Sequence, residues 1–355
     1  MILLLAVLLA GSVTDEIAVQ RGQVTQGNPR AGSVSDSLNA TFDLSDAWSF
    51  NAGALVTLEG QTPAAEQGAF GTSASAVALL TAGLDWEVTE HFALGLDLSL
   101  SPSSQQNVGT ALTVSTAAGD TSANALIKAV GSEGAAGVNL TWDTGGDTDL
   151  EWMLDAGVTL THFSSDQDVE KVRGARGVTL TPQQALNYCN THKCPAALVK
   201  ILMATIKGGT QSANLDSAKL SLAATATAWR DTDFTLGADF YGYSEDPTQV
   251  GFFSLSYTGR GSIGGGSGIP IAPLRTMIRP EVLHRFGDFS LKLWVQAGQY
   301  VESTGQSTTG GGVKAVYKFS KTFRMWLTLS GQQDVDDTGV ASKSGAVALG
   351  AGYRF

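Results

Sequence analysis

Apolar and polar residues alternate with a period of two through most of this chain. In the last segment Val347, Leu349, Ala351, Tyr353 and Phe355 share one face, while Ser344, Ala346, Ala348, Gly350, Gly352 and Arg354 share the other. Phe92, Leu94, Leu96, Leu98 and Leu100 repeat the pattern around Gly95, Asp97 and Ser99. Phe289, Leu291, Leu293 and Val295 do so around Ser290, Lys292, Trp294 and Gln296. A period of two belongs to strands with one apolar face, since successive side chains point to opposite sides.

Short polar turns punctuate the alternation at Ser45–Ala47, Thr89–Glu90, Thr144–Asp147, Asp231–Asp233, Gly287–Asp288 and Ser320–Thr322. Between them lie longer linkers, at 59–74, 101–135, 163–213, 244–275, 300–310 and 333–343. Short turns on one side and long loops on the other are the plan of a transmembrane antiparallel up-and-down β-barrel. Six turns, with both termini on the turn side, predict about 14 strands, the first near Glu16–Val24. The neighbouring even counts are 12 and 16. Val250–Tyr257 also alternates and is assigned to the fifth loop; a partner strand for it would give 16.

Aromatic residues sharpen this all-β reading. Trp48, Trp86, Phe92, Trp142, Trp152, Phe234, Phe286, Phe289, Phe319, Phe323 and Phe355 cluster near the short turns or the C-terminus. Such rings prefer the membrane–water interface. Charged residues make up only 15% of the chain, and glycine 42 of 355 positions. No run of 18 apolar residues suggests a membrane helix. A net charge of −11 lacks the basic footprint of a nucleic-acid binder.

The ending Ala-Gly-Tyr-Arg-Phe, with Tyr353 and terminal Phe355, resembles the C-terminal assembly signal of Gram-negative outer-membrane barrels. The resemblance implies a porin-like outer-membrane barrel recognised by the barrel-assembly machinery. It implies bacterial outer-membrane lipid and lipopolysaccharide as surroundings. It identifies no subfamily.

Alternation assigns a set of charged residues to the lumen. The acidic set is Asp85, Glu87, Asp97, Asp143, Glu151, Asp155 and Asp239; the basic set is Arg279, Arg285, Lys292, Lys314, Lys318 and Arg324. Residues 1–180 hold 6 cations against 21 carboxylates, and residues 181–355 hold 16 against 12. Sequence order runs around a barrel, so an acidic wall is expected to face a partly basic one, creating a transverse field. Ion pairs filling a closed barrel are the alternative.

The segment 163–213 reads as a helical insertion. Pro182 suits a first helical position, and Pro195–Lys207 carries a broad apolar stripe ended by Gly208-Gly209. Cys189 and Cys194 are expected to pair in an oxidising compartment; a metal site with His192 is the competing reading, but finds no fourth ligand. The insertion could cap the mouth, fold into the lumen, meet a partner, or form a self-packed surface hairpin. Residues 1–12, apolar and then small, read as a signal peptide preceding a barrel of 13–355; a buried N-terminal strand is the other reading. The Gly-rich run 259–268 lacks the lysine of a phosphate loop.

No catalytic grouping is legible, since His91, His162, His192 and His284 lie apart from any nucleophile. No enzyme, cofactor or metal is expected. The leading function is an outer-membrane channel for passive diffusion of small polar solutes or ions through a charged lumen. One alternative is a hydrophobic-compound transporter resembling the 14-stranded fatty-acid transporter family, although residues 13–35 are short and polar for that family's N-terminal plug. Another is a structural or docking barrel for a surface or secretion complex. A homo-oligomer or surface-complex partner is compatible with any of them.

Overall fold

The computed structural model describes residues 11–24, 30–62, 73–116, 119–145, 150–173, 179–191, 194, 196–228, 231–246, 274–301, 307–335 and 341–355. The strands are β1 (Gly11–Val24), β2 (Arg30–Asp43), β3 (Trp48–Thr62), β4 (Ser73–Thr89), β5 (Phe92–Thr116), β6 (Gly119–Asp143), β7 (Leu150–Arg173), β8 (Thr179–Leu180), β9 (Gln211–Ala228), β10 (Thr232–Tyr243), β11 (Leu274–Phe286), β12 (Phe289–Tyr300), β13 (Ser307–Lys318), β14 (Phe323–Val335) and β15 (Ala341–Arg354). Two helices, α1 (Pro182–Thr191) and α2 (Ala196–Ile206), lie between β8 and β9.

Every strand pair is antiparallel, and the sheet closes on itself through β1 and β15. At the seam, Gly11 N donates to Phe355 O at 3.1 Å and Phe355 N to Gly11 O at 3.0 Å. The two-residue β8 stands outside the ring, so the wall has 14 strands. Closure satisfies the backbone without a free edge, which a bilayer demands.

The outward parity carries the apolar residues. Leu98, Leu100, Leu160, Leu236, Val295 and Leu349 are all half-exposed or more. In a soluble protein such a belt would aggregate; here it is the surface that meets lipid. Trp48 and Trp86 stack at 5.3 Å on facing positions of β3 and β4. Phe286–Phe289, Phe319–Phe323 and Tyr353–Phe355 continue this ring along the turn end.

Several boundaries differ from expectation. The linker expected at 101–135 is strand: β5 and β6 run on to Thr116 and from Gly119. Both faces of this extension are rich in Ser, Thr, Ala and Gly, so the alternation that marks a half-apolar strand fades although the backbone still pairs. Likewise β7 reaches Arg173, well into the expected 163–213 insertion. Strand β1 starts at Gly11, which pairs with Phe42, and Ser12 pairs with Thr41 and Arg354. The segment Val250–Tyr257, the Gly-rich run 259–268 and His192 lie outside the described residues.

The helical insertion forms where expected. Thr181 and Gln184 cap α1 reciprocally, Gln184 N donating to Thr181 Oγ1 at 3.3 Å and Thr181 N to Gln184 Oε1 at 2.9 Å. Gly208, at φ +76°, ends α2 in the left-handed region. Cys189 and Cys194 form a disulfide with Cα atoms 5.3 Å apart. Ala185, Leu198, Ile201 and Leu202 pack on Ile127, Val169 and Val172 of the extended β6–β7 hairpin. Ile127 and Val169 continue the lumen-facing parity of Glu133 and Phe163, so the helices lie on the lumen side of that hairpin. Val169 N donates to Thr205 Oγ1 at 3.0 Å, fixing α2 to β7. The insertion is thus a canopy resting on the wall, not a hairpin packed only on itself.

Candidate functional site

The lower lumen of the first half is a ladder of carboxylates held by neutral donors. Asn51 Nδ2 donates to Asp85 Oδ2 at 3.1 Å, Asn139 Nδ2 to Asp97 Oδ2 at 2.8 Å, and Thr141 Oγ1 to Asp155 Oδ1 at 2.7 Å. These side chains lie flat because glycines stand opposite them. A Cβ on Gly83 would strike Asn51, and one on Gly95 would strike Asn139 and Asp85. Neutral donors stabilise a carboxylate without cancelling its charge. At the turn end His91 Nδ1 meets Asp143 Oδ1 at 2.9 Å, while Glu87 and Glu151 stand exposed at the rim.

The second half is arranged differently. Asp233 receives a two-pronged contact from Arg285, with Nη1 to Oδ1 at 3.1 Å, and also accepts from Thr227 Oγ1 at 2.9 Å. Glu281 bridges Arg279, at 2.8 Å from its Nε, and Lys292. Glu16 accepts from Trp326 Nε1 and lies 3.9 Å from Lys314 Nζ. That ammonium sits 4.6 Å from the centre of the Trp326 ring, and the Arg324 guanidinium 5.9 Å from it. The indoles of Trp326 and Trp294 are seated over Gly350 and Gly312, where a Cβ would collide with them. Lys318 faces Arg324 across β13 and β14, and Asp239 lies between Ser221 and Met277 in register.

All 13 charged positions read from alternation lie on the lumen-facing parity. The structure groups Asp85, Asp97 and Asp155 on one wall and Arg279, Lys292 and Arg285 on the other. Their partners Asn51, Asn139, Thr141, Asp233, Glu16 and Trp326 escaped the sequence. Inward parity and polarity marked them, but pairing depends on cross-strand register, which one sequence does not display.

Toward the loop end the lumen becomes apolar. Phe163, Ala213 and Leu215 form one buried cluster with Tyr243, and Leu274, Met277 and Tyr300 form another with Tyr241. Tyr243 Oη donates to Leu274 O at 2.7 Å, joining the two. The stripe runs along the inner face from β7 to β12.

The wall also parts. β4 and β5 pair from Thr89–Phe92 up to Leu80–Leu100, and among the described residues no ladder pair joins them above that point. Above it β4 continues on β3 alone, and β5 on β6 alone. Ser101 Oγ bridges the crotch to Ala78 O at 2.8 Å. Leu80 is six residues above Trp86 of the aromatic ring. At about 3.3 Å per residue and a tilt of about 40°, the fork opens about 15 Å above that ring, inside an apolar band about 25 Å tall.

No family model matches the sequence, and no curated protein matches it. Solved structures do match in shape. The CymD monoaromatic hydrocarbon channel aligns at a TM-score of 0.54 and 12% identity, covering 98% of this chain and 89% of that one. The Ralstonia pickettii toluene transporter TbuX aligns at 0.53 and 11%, covering 98% and 90%. A Pseudomonas aeruginosa FadL homologue aligns at 0.51 and 12%, covering 97% and 89%. The shared architecture, the outward apolar belt and the aromatic ring make this chain a closed 14-stranded antiparallel barrel of the transmembrane type.

Proposed function

We propose that the protein is an outer-membrane channel for hydrophobic compounds that leave or enter through the side of the barrel. The fork between β4 and β5 carries this reading. An unpaired pair of strand edges inside an apolar band is costly, because lipid offers the backbone no partners. Such a breach is tolerated where it lines a passage. The apolar stripe of Phe163, Leu215, Tyr243, Leu274, Met277 and Tyr300 on the inner wall supports the same reading, since it sets apolar side chains beside the passage. The structural neighbours named as hydrocarbon or toluene channels support the same substrate class, and none of the three carries an enzyme's name. Tyr353 and Phe355, at the closing seam, would present the chain to the assembly machinery of a Gram-negative cell.

The test is to close the fork. Leu79 and Ser101 are next in register beyond the pair Leu80–Leu100. A Leu79→Cys/Ser101→Cys protein, oxidised, should take up radiolabelled toluene at least about tenfold more slowly than when reduced, since the opening is covalently spanned. Wild type treated in parallel controls for Cys189–Cys194. Equal uptake in both redox states would refute a lateral route.

A second reading, diffusion of small polar solutes or ions, rests on the Asp85–Asp97–Asp155 ladder. Planar-bilayer conductance with a salt gradient distinguishes it. Ion-conducting steps of cation preference are its signature, and a hydrocarbon channel that excludes water shows none.

A further inference from the structure

The outer wall has a concave place on its membrane side, which begins at the last paired rows of β4 and β5, just below the fork. A groove of about 890 Å³ crosses six strands, from β4 to β10. Its flanks are outward leucines: Leu80, Leu98, Leu100 and Leu160. Its floor is kept empty by Gly134 and Gly242, where an added Cβ would meet nothing within 4 Å. Its upper row holds His162 and Asp216, paired through Nδ1 and Oδ1 at 2.7 Å. Ser244 Oγ accepts from Asp216 N at 3.0 Å, and Ser244 N donates to Asp216 O at 2.9 Å, fixing the end of that row.

Ionisable residues on a lipid-facing parity are expensive and mark functional sites. Both side chains are well exposed, 61% and 68%, so they are not satisfied by burial in the protein. His162 stands ten residues above Trp152 on β7, about 25 Å higher along the barrel axis. The dyad therefore lies at the upper edge of the apolar band, with leucines beneath it. A groove of this size falls in the usual range for small-molecule sites.

We propose that this groove binds a neutral hydroxyl-bearing amphiphile, a long-chain alcohol or alkylphenol, with its apolar body along the leucines and its hydroxyl on the dyad. A hydroxyl can donate to the free carboxylate oxygen of Asp216 or to Nε2 of His162, both acceptors once Nδ1–H is held by Asp216 Oδ1. An alkane leaves both unpaired. An anionic head meets the Asp216 carboxylate, and a quaternary ammonium has no hydrogen for it. The groove would be a membrane-side selectivity station. It deepens the channel reading but does not need the lumen to conduct, so each can fail separately.

The experiment uses the full chain in phosphatidylcholine nanodiscs with a twelve-carbon alcohol bearing a tail diazirine. Photolabelled peptides are mapped by mass spectrometry, with 1-dodecanol and dodecane as competitors at matched concentrations per bilayer lipid. Labelling should concentrate on the groove segments of β6, β7, β9 and β10. Dodecanol should compete roughly tenfold better than dodecane, the worth of about one good hydrogen bond. His162→Ala/Asp216→Ala should erase that difference, and Gly134→Phe should abolish the labelling while the barrel keeps its heat-modifiable migration. Labelling spread evenly around the belt, or equal competition by alcohol and alkane, would overturn the proposal. Loss of toluene uptake with groove labelling intact would instead count against the channel.

Discussion

The two walls of the lower lumen handle charge in opposite ways. On β3 to β7, Asp85, Asp97 and Asp155 are held by Asn51, Asn139 and Thr141, so their negative charge stays open to the lumen. On the other wall Arg285 of β11 meets Asp233 of β10, Arg279 and Lys292 share Glu281 of β11, and Lys314 of β13 reaches Glu16 of β1 across the closing seam. These cations are neutralised locally, not across the bore. Local pairing of the cations weakens the transverse field expected from the raw counts, while the open carboxylates keep its negative side. The result is a negative wall beside a wall of ion pairs in which Lys318 and Arg324 face each other across β13 and β14. Where a counter-ion sits matters more than how many there are.

This contrast can be broken most strongly from the negative side. A solvated ion about 8 Å from each carboxylate gains about 0.5 kcal/mol per charge in water. The triple variant Asp85→Asn/Asp97→Asn/Asp155→Asn should lower the cation-to-anion permeability ratio of any ion-conducting state by roughly tenfold. Reversal potentials under a salt gradient read this directly, and an unchanged ratio would show that the first wall does not set the field. Next in size, Glu281→Gln frees both Arg279 and Lys292 and should lower the same ratio by about threefold. It should also make the barrel unfold at lower urea, because two cations lose their partner. Glu16→Gln should have the smallest effect, less than about twofold, since Lys314, 3.9 Å from Glu16, keeps the Trp326 ring as a second partner. A Glu16→Gln effect as large as that of the triple variant would erase the distinction between the walls.

Alternation made the faces legible. It placed Asp85 and Lys292 inside, His162 and His284 outside, and Trp48 and Phe289 at the turn end, because parity alone decides each. It did not reveal that Asn51 reaches Asp85 or that Glu16 reaches Trp326, positions brought together across strands and, for the latter, across the closing seam. It hid the outer ends of β5 and β6, where neither face is apolar. His162 and Leu160 read as ordinary outward residues, and only the cross-strand register that sets them beside Gly134 and Gly242 makes them the side of a groove. The fork left only local traces, an apolar Leu79 on the inward parity and Pro102, which has no N–H for a ladder, just beyond Ser101.

The indoles seated over Gly312 and Gly350, and the amides over Gly83 and Gly95, have a further consequence for the bore. Each bulky group occupies a socket left by a missing side chain, so it thickens the wall by little more than the depth of a ring. Cross-sectional area is thus set by the residues that contribute no atoms to it. Gly350→Ala would tip an indole toward the axis and narrow the passage without adding charge or changing the strand count. A barrel of fixed circumference could in this way be retuned to a different size of cargo, one methyl group at a time.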